Sequence, residues 1–380
     1  MKNKITLIVF LLPILSVLFF SCRNSSQDEV PIIKATSLEV DIKDGNDFKK
    51  NVWRIVPEIN PDIYTTSSKK VTFYTDIDSI TFNVKPDKTY DFIILLNETD
   101  SAHTRIQYEL GYLDKLKKAH KYNNKDNRYI PKFTYQAMTD ENLVRLRKEF
   151  NLDSIAGQGN EISKIINLLY WVHDVVRHDG NSYNPSSQNA IDLINICKVE
   201  NRGVNCRMMA AILNECYLSM GFKSRFVTCM PKETKFSDCH VINMVYVDSL
   251  QKWVWMDPTF CAYVTDETGE LLGLSEVRER LINEKTLILN PDANWNKQVY
   301  QTKEGYLENY MAKNLYRMEC LSVSEYNAET SQERMERIYV ELLPLDGIEQ
   351  QPQKIENTYN NYTVIKYKTN NPNIFWAKPE

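Results

Sequence analysis

The stretch that most restricts the fold is "NCRMMAAILNECYLSMG", from Asn205 to Gly221. Met208, Met209, Ala211, Ile212, Leu213 and Cys216 leave this helix apolar around most of its girth, as a buried central helix would be. Gly221 suits its C-terminal cap. Upstream, Ile162, Ile165, Ile166, Leu169, Val172 and Val176 recur at helical spacing, an apolar stripe begun by "GNE" and ended by Gly180 and Pro185 in "HDGNSYNP". A second helix is predicted from Ser187 to Cys197. Downstream, "SRFVTC", "CHVINMVYV" and "KWVWMDPTF" read as three strands. Asp248-Ser249 turns the last two into a hairpin. Helices followed by strands in this order predict an α+β core over 161–295.

The flanks differ. From Ala35 to Tyr108 the pattern alternates with period two, through Val71 and Phe73, then Ile80, Phe82 and Val84, then Tyr90, Phe92, Ile94 and Leu96. Turn residues such as Pro86-Asp87 separate the runs, so 35–110 predicts a small β-sandwich. A charged stretch between Lys115 and Lys132 lies in a connector over 111–160. After Trp295, "IYVELLPL" and "YTVIKYK" look like strands and "GYLENYMAKNLY" fits either state, which gives a β-rich C-terminal extension over 296–380.

The first residues carry an address. Lys2 and Lys4 precede an apolar run from Ile5 to Phe20 that ends in "LFFSC". Residues 1–21 read as a secretory signal, too short for a spanning helix. The small residue before Cys22 resembles a bacterial lipobox, which makes Cys22 the lipidated mature N-terminus and 22–34 a polar tether. The protein is then expected in the cell envelope, held to the membrane by acyl chains. A net charge of −4 gives no basic footprint for nucleic acid. Six of the eight cysteines crowd between 197 and 261 with no C-x-x-C pair, neither a zinc ribbon nor a dense disulfide framework. Cys197, Cys216, Cys229 and Cys261 read as core thiols, with a disulfide among them as an unassigned alternative. His173 and His178, five apart on a predicted helix, point to different faces and make no zinc site. His103 and His120 read as surface residues, Trp171 as core, and Asp179 and Tyr183 as possible neighbours of a cleft.

Chemistry concentrates in three residues. Cys206 opens a helix, whose free N–H groups and partial positive charge favour a thiolate. His240 opens one strand of the hairpin and Asp257 closes the other. Adjacent strands offer a direct way to pair them, so that the carboxylate orients an imidazole that handles the thiol's proton. Cys239 should face away from His240 and pack. The backbone N–H of Cys206 is a natural oxyanion donor, with Gln188, Asn201 or Asn205 as side-chain assistants.

"GVNCRMMAAILNECYLSMGFKSRFV", "HVINMVYVDSLQKWVWMDPTF" and "ISKIINLLYWVHDVV" together resemble the transglutaminase-like superfamily, over about Glu161 to Phe260. One departure is Ile242, where that family often has tryptophan. The resemblance implies a papain-like core with Cys206, His240 and Asp257 as a catalytic triad acting on amides through an acyl-thioester. It implies a peptide, protein or cell-wall substrate, and since no calcium loop or other metal motif appears, no cofactor is expected. Hydrolysis is the expected outcome. Protein-glutamine transamidation is the alternative within the same chemistry. A glycan- or protein-binding module using the core as scaffold is the alternative outside it.

Overall fold

The computed structural model describes residues 30–380 apart from 58–59, 120, 237, 331–335, 347 and 360–361. The signal peptide, Cys22 and most of the tether predicted from sequence lie outside the described residues, as does His120. The chain divides into two units, Met1–Glu109 and Leu110–Glu380.

The first unit holds β1 (Ile32–Ala35), β2 (Glu39–Asp44), β3 (Asp47–Arg54), β4 (Asp62–Thr66), β5 (Lys70–Tyr74), β6 (Ser79–Asn83), β7 (Thr89–Leu96) and β8 (Asp100–Tyr108). They form two four-stranded sheets, β1-β7-β8-β4 and β3-β2-β5-β6. Period-two alternation turns Val71, Phe73, Phe82, Phe92 and Ile94 into one shared core. Phe73 sits at its centre, 4.9 Å from Phe92 and 5.2 Å from Tyr64 between ring centroids. The pairing is mixed: β1 runs parallel to β7 and β4 parallel to β8. His103 is half-buried on β8.

The second unit is built around the apolar helix. Its main helices are α1 (Glu141–Glu149), α2 (Glu161–Val175), α3 (Ala190–Glu200), α4 (Cys206–Ser219), α5 (Leu274–Ile282) and the π-helical α6 (Glu304–Met311). Its main strands are β9 (Ser224–Met230), β10 (His240–Val247), β11 (Lys252–Met256), β12 (Arg317–Leu321), β13 (Glu336–Leu342), β14 (Lys354–Thr358) and β15 (Thr363–Thr369). Every residue of α4 from Met208 to Ser219 is buried. Helices α1, α2 and α3 cover one side and β9 and β10 the other. The three polar residues inside this run find partners, Ser219 Oγ donating to the Cys216 carbonyl at 2.8 Å. Asn214 donates to Ser324 Oγ at 2.9 Å. The Glu215 side chain accepts the N–H groups of Ala190 at 2.7 Å and Asn327 at 2.9 Å.

Local chemistry fixes both ends of α4. Asn205 caps the start by accepting from the Met208 N–H. Gly221 closes the end at φ +87°, with its N–H bonded to the Leu218 carbonyl and that of Phe222 to the Tyr217 carbonyl, the paired bonds of a Schellman cap.

The seven-stranded sheet runs β11-β10-β9-β12-β13-β15-β14. Four of these strands come from 296–380, so this segment completes the central sheet and does not trail after it. The reason is β9. All seven of its residues are buried, and without β12 its outer edge would be an unpaired row of backbone groups. β12 pairs there through Thr228–Glu319, Cys229–Met318 and Met230–Arg317. The 111–160 stretch also belongs to this unit, where α1 packs on α4 and Thr134–Tyr135 pairs with Val323–Ser324. The second helix begins at Ala190, three residues later than its spacing predicts, because Asn189 caps it by accepting from the Asp192 N–H.

Candidate active site

The site begins with the hairpin. β10 and β11 pair antiparallel, with Asn243 opposite Met256. Extending that register sets Asp257 opposite Ile242, two residues from His240, so the histidine and aspartate share a face diagonally instead of standing side by side. A tight turn after β11 closes the diagonal. Around it, Asp257 exchanges two backbone hydrogen bonds with Ala262, at 2.9 and 3.0 Å. The turn aims the N–H groups of Thr259 and Phe260 at Asp257 Oδ1, 2.9 and 3.3 Å away.

His240 Nε2 then meets Asp257 Oδ2 at 2.7 Å. Both side chains are fully withdrawn from solvent. Burial alone would push the imidazole down. The Asp257 charge and hydrogen bond, aided by Cys206, outweigh it and bring His240 up to about 10. Phe260 and Tyr310 hold the ring from the side, 5.4 and 5.3 Å away between centroids.

Cys206 completes the group at the first turn of α4. Burial pushes its thiol up, but hydrogen bonds to His178 and His240, the His240 charge and the Val241 backbone together bring it down to about 6. The three residues named from sequence therefore meet. Cys239 is half-buried, and burial and the neighbouring Cys206 charge push it up to about 11. Cys197, Cys216, Cys229 and Cys261 are buried free thiols. Ile242 is wholly buried in the apolar core.

Two groups at the site were not legible from residue spacing. The first is His178. Helix α2 ends at Val175, short of it, and His178 pairs with Val204 in an isolated parallel bridge. That bridge carries it to the cysteine turn. The second is Tyr306, from the π-helical α6. Its hydroxyl donates to Asp257 Oδ2 at 2.5 Å. Burial and the Asp257 charge push it well above the usual phenol range, so it stays a donor. Asp257 thus accepts four hydrogen bonds. Tyr306→Phe is expected to cost about 1–3 kcal/mol of stability, the loss of one bond to a buried charge. It should also raise the titration of His240, because an Asp257 with one donor fewer holds the imidazolium harder. Chemical denaturation and the histidine NMR titration check both.

Of the side-chain oxyanion candidates, Asn205 is otherwise engaged. Asn205 caps α4 and donates to Asn184 at 2.8 Å. Asn201 ends α3 in the left-handed region at φ +48°. Gln188 is tied through its backbone, whose N–H donates to Thr330 Oγ1 at 3.0 Å. Trp171 packs on Phe150. Tyr183 is exposed, with the Arg202 guanidinium 3.8 Å over its ring. Among the described residues, no group of three His, Cys, Asp or Glu could hold a metal ion.

Residues 148–258, under a third of the chain, match the family model of the transglutaminase-like superfamily. This segment is similar to that family's core. It starts in α1 and ends just after Asp257. No curated protein is significantly similar in sequence. Among solved structures, a Cytophaga hutchinsonii protein described as a candidate cysteine protease shares 17% identity over 35% of this chain and 46% of its own, with a TM-score of 0.25. Red sea bream transglutaminase shares 12% identity over 61% of this chain and 49% of its own, with a TM-score of 0.23. The chain thus spans just under half the length of each. The matched segment contributes Cys206, His240, Asp257 and His178; Tyr306, Tyr310 and Phe260 lie beyond it.

Proposed function

We propose that this protein is a thiol hydrolase of the cell envelope, lipid-anchored through Cys22, that cleaves peptide or isopeptide amide bonds. The Cys206 thiolate attacks the amide carbonyl carbon. The charge that forms on the carbonyl oxygen faces the free N–H groups at the start of α4. As the carbon–nitrogen bond breaks, the His240 imidazolium gives its proton to the departing amine, leaving an acyl-thioester on sulfur. Water then loses a proton to His240 as it attacks the thioester. The acid departs and thiolate and imidazolium are restored. Asp257 keeps the ring in one tautomer throughout, fixed in turn by Tyr306 and the Thr259 and Phe260 N–H groups. The anchor rests on "LFFSC" at Leu18–Cys22.

The observation that carries this reading is the geometry: Cys206 at the first turn of α4, and His240 bonded to a buried Asp257 at 2.7 Å, a setting that brings the thiol down to about 6 despite burial and the imidazole up to about 10. Between those values sulfur and ring form an ion pair. Below them the sulfur is protonated; above them the ring has no proton for the leaving amine. A bell-shaped kcat/KM is therefore expected, its two limbs belonging to the pair as a unit. Mass spectrometry of peptide and cell-wall libraries exposed to the enzyme supplies the substrate for that profile. Cys206→Ala should abolish both cleavage and labelling by iodoacetamide. Cleavage that persists in this variant sinks the proposal, and incorporation of a labelled amine in place of water redirects it to transamidation.

A further inference from the structure

One imidazole at the sulfur takes no part in these proton transfers. His178 is held on two sides. Its backbone N–H donates to Asn296 Oδ1 at 2.8 Å, and its carbonyl accepts from Asn296 Nδ2 at 2.9 Å. Across the bridge, Val204 donates to the Arg177 carbonyl at 2.9 Å and Asp179 to the Val204 carbonyl at 2.8 Å. This close approach needs Gly203. A Cβ there would stand 2.8 Å from the Arg177 carbonyl oxygen and 2.7 Å from the Asp179 side chain. The imidazole is thus anchored on one side at Val204, close to Cys206 in the sequence, and on the other at Asn296.

The ring is oriented as firmly as the backbone. Trp295 Nε1–H donates to His178 Nδ1 at 2.9 Å, with ring centroids 6.3 Å apart at 72°. An indole nitrogen can only donate. Nδ1 must therefore accept, and the ring's own proton sits on Nε2. That leaves an N–H, not a lone pair, as the free polar group of a ring that the bridge to Val204 carries to the Cys206 turn, where it helps bring the thiol down. His240 is wired the opposite way. Its Nε2 faces Asp257, so Nδ1 is the nitrogen left for the sulfur.

We infer that His178 is a second catalytic histidine with a single fixed role. Locked by Trp295 as an Nε2–H donor, it stabilises the Cys206 thiolate and never serves as its base. This rests on Cys206 being the nucleophile. A thiolate that accepts two hydrogen bonds persists at lower pH than one held by its base alone. Both devices that hold the ring, Trp295 and Asn296, lie beyond the matched segment 148–258. The C-terminal part of the unit therefore tunes the nucleophile supplied by the core.

The other titratable groups around the sulfur are His240, Cys239, Tyr310 and, behind them, Asp257 and Cys229. Cys239, Tyr310 and Cys229 are all pushed up by burial and stay protonated through the neutral range. The test is a titration of the Cys206 thiolate by its ultraviolet absorbance, with the rate of iodoacetamide alkylation followed over the same pH series. It is run on the full chain as wild type, His178→Ala, His178→Gln and Trp295→Phe, with Cys206→Ala as blank. His178→Ala is expected to raise the midpoint by about one unit, roughly a tenfold loss of thiolate below it. His178→Gln keeps an N–H and should recover part of the shift. Trp295→Phe frees the tautomer and should fall between wild type and His178→Ala. Circular dichroism and melting curves establish that each variant is folded. A His178→Ala midpoint equal to wild type overturns the inference. If that variant does not fold, His178→Gln and Trp295→Phe decide, and both titrating as wild type overturns it. A wild-type midpoint at the ordinary thiol value instead fails the nucleophile reading itself, so the two failures are distinguishable.

Discussion

Asp257→Asn is expected to lower turnover by about 10⁴-fold while leaving the fold in place. The reason lies in the four donors that converge on this side chain. The Thr259 and Phe260 N–H groups point at Oδ1, and Tyr306 O–H and His240 Nε2 at Oδ2. An asparagine keeps its single oxygen toward the two backbone donors and presents its NH₂ to His240. Nε2 must then accept, which moves the ring proton to Nδ1, the nitrogen facing the sulfur. A ring that already carries its proton there cannot take another from Cys206, and without the Asp257 charge the imidazolium loses its partner. Turnover of a peptide identified with wild type, alongside the alkylation rate of Cys206 at neutral pH, should fall together. Equal alkylation rates in the two proteins would show that Asp257 does not govern the thiol.

Glu329→Ala is expected to cost about 3–5 kcal/mol of stability, because it strands a guanidinium beside the nucleophile. Arg207 follows Cys206 on α4. It donates to both Glu329 oxygens through Nε, at 2.6 Å, and Nη2, and to Thr228 Oγ1 at 2.9 Å. Glu329 also accepts the Tyr339 hydroxyl at 2.7 Å. Burial pushes the Glu329 carboxyl up, but Arg207 and Tyr339 outweigh it and leave it below its usual range. A carboxyl depressed on folding contributes stability that is complete above its unfolded value and lost as pH falls through the lower folded one. The wild-type advantage over Glu329→Ala should therefore hold at neutral pH and shrink in acid. A Tm drop of roughly 10 °C at neutral pH is the expected reading for a unit of this size. A drop equally large in strong acid would mean the lost term is packing and not the ion pair.

The reach of sequence reasoning follows from the range of the forces involved. The helix stripe of α2, the cap and Gly221 of α4, and the strands Ser224–Met230, His240–Val247 and Lys252–Met256 are set by neighbours within a few residues, so spacing alone reveals them. Cys206, His240 and Asp257 share that legibility because each sits at the end of such an element. His178 escaped because the helix containing His173 stops at Val175, short of it, and its value comes from Val204, Trp295 and Asn296. Tyr306 escaped because its segment has neither clean period, and its partner is 49 residues away. Spacing does not join the segment after Trp295 to the core, because strand pairing leaves no local signature. What placed it in the central sheet is the cost of leaving the β9 edge open.

By itself, then, the amino-acid order determined the elements, the apolar helix that had to be enclosed, and which three side chains stand at element ends fit for proton handling. Those are matters of period, capping and side-chain chemistry. Only the tertiary structure decided that strands from the last part of the chain close the sheet, that Tyr306 backs Asp257, and that a second imidazole turns its N–H toward the sulfur. These depend on contacts between residues far apart in the chain, whose direction is fixed by packing and hydrogen-bond geometry once the core has formed.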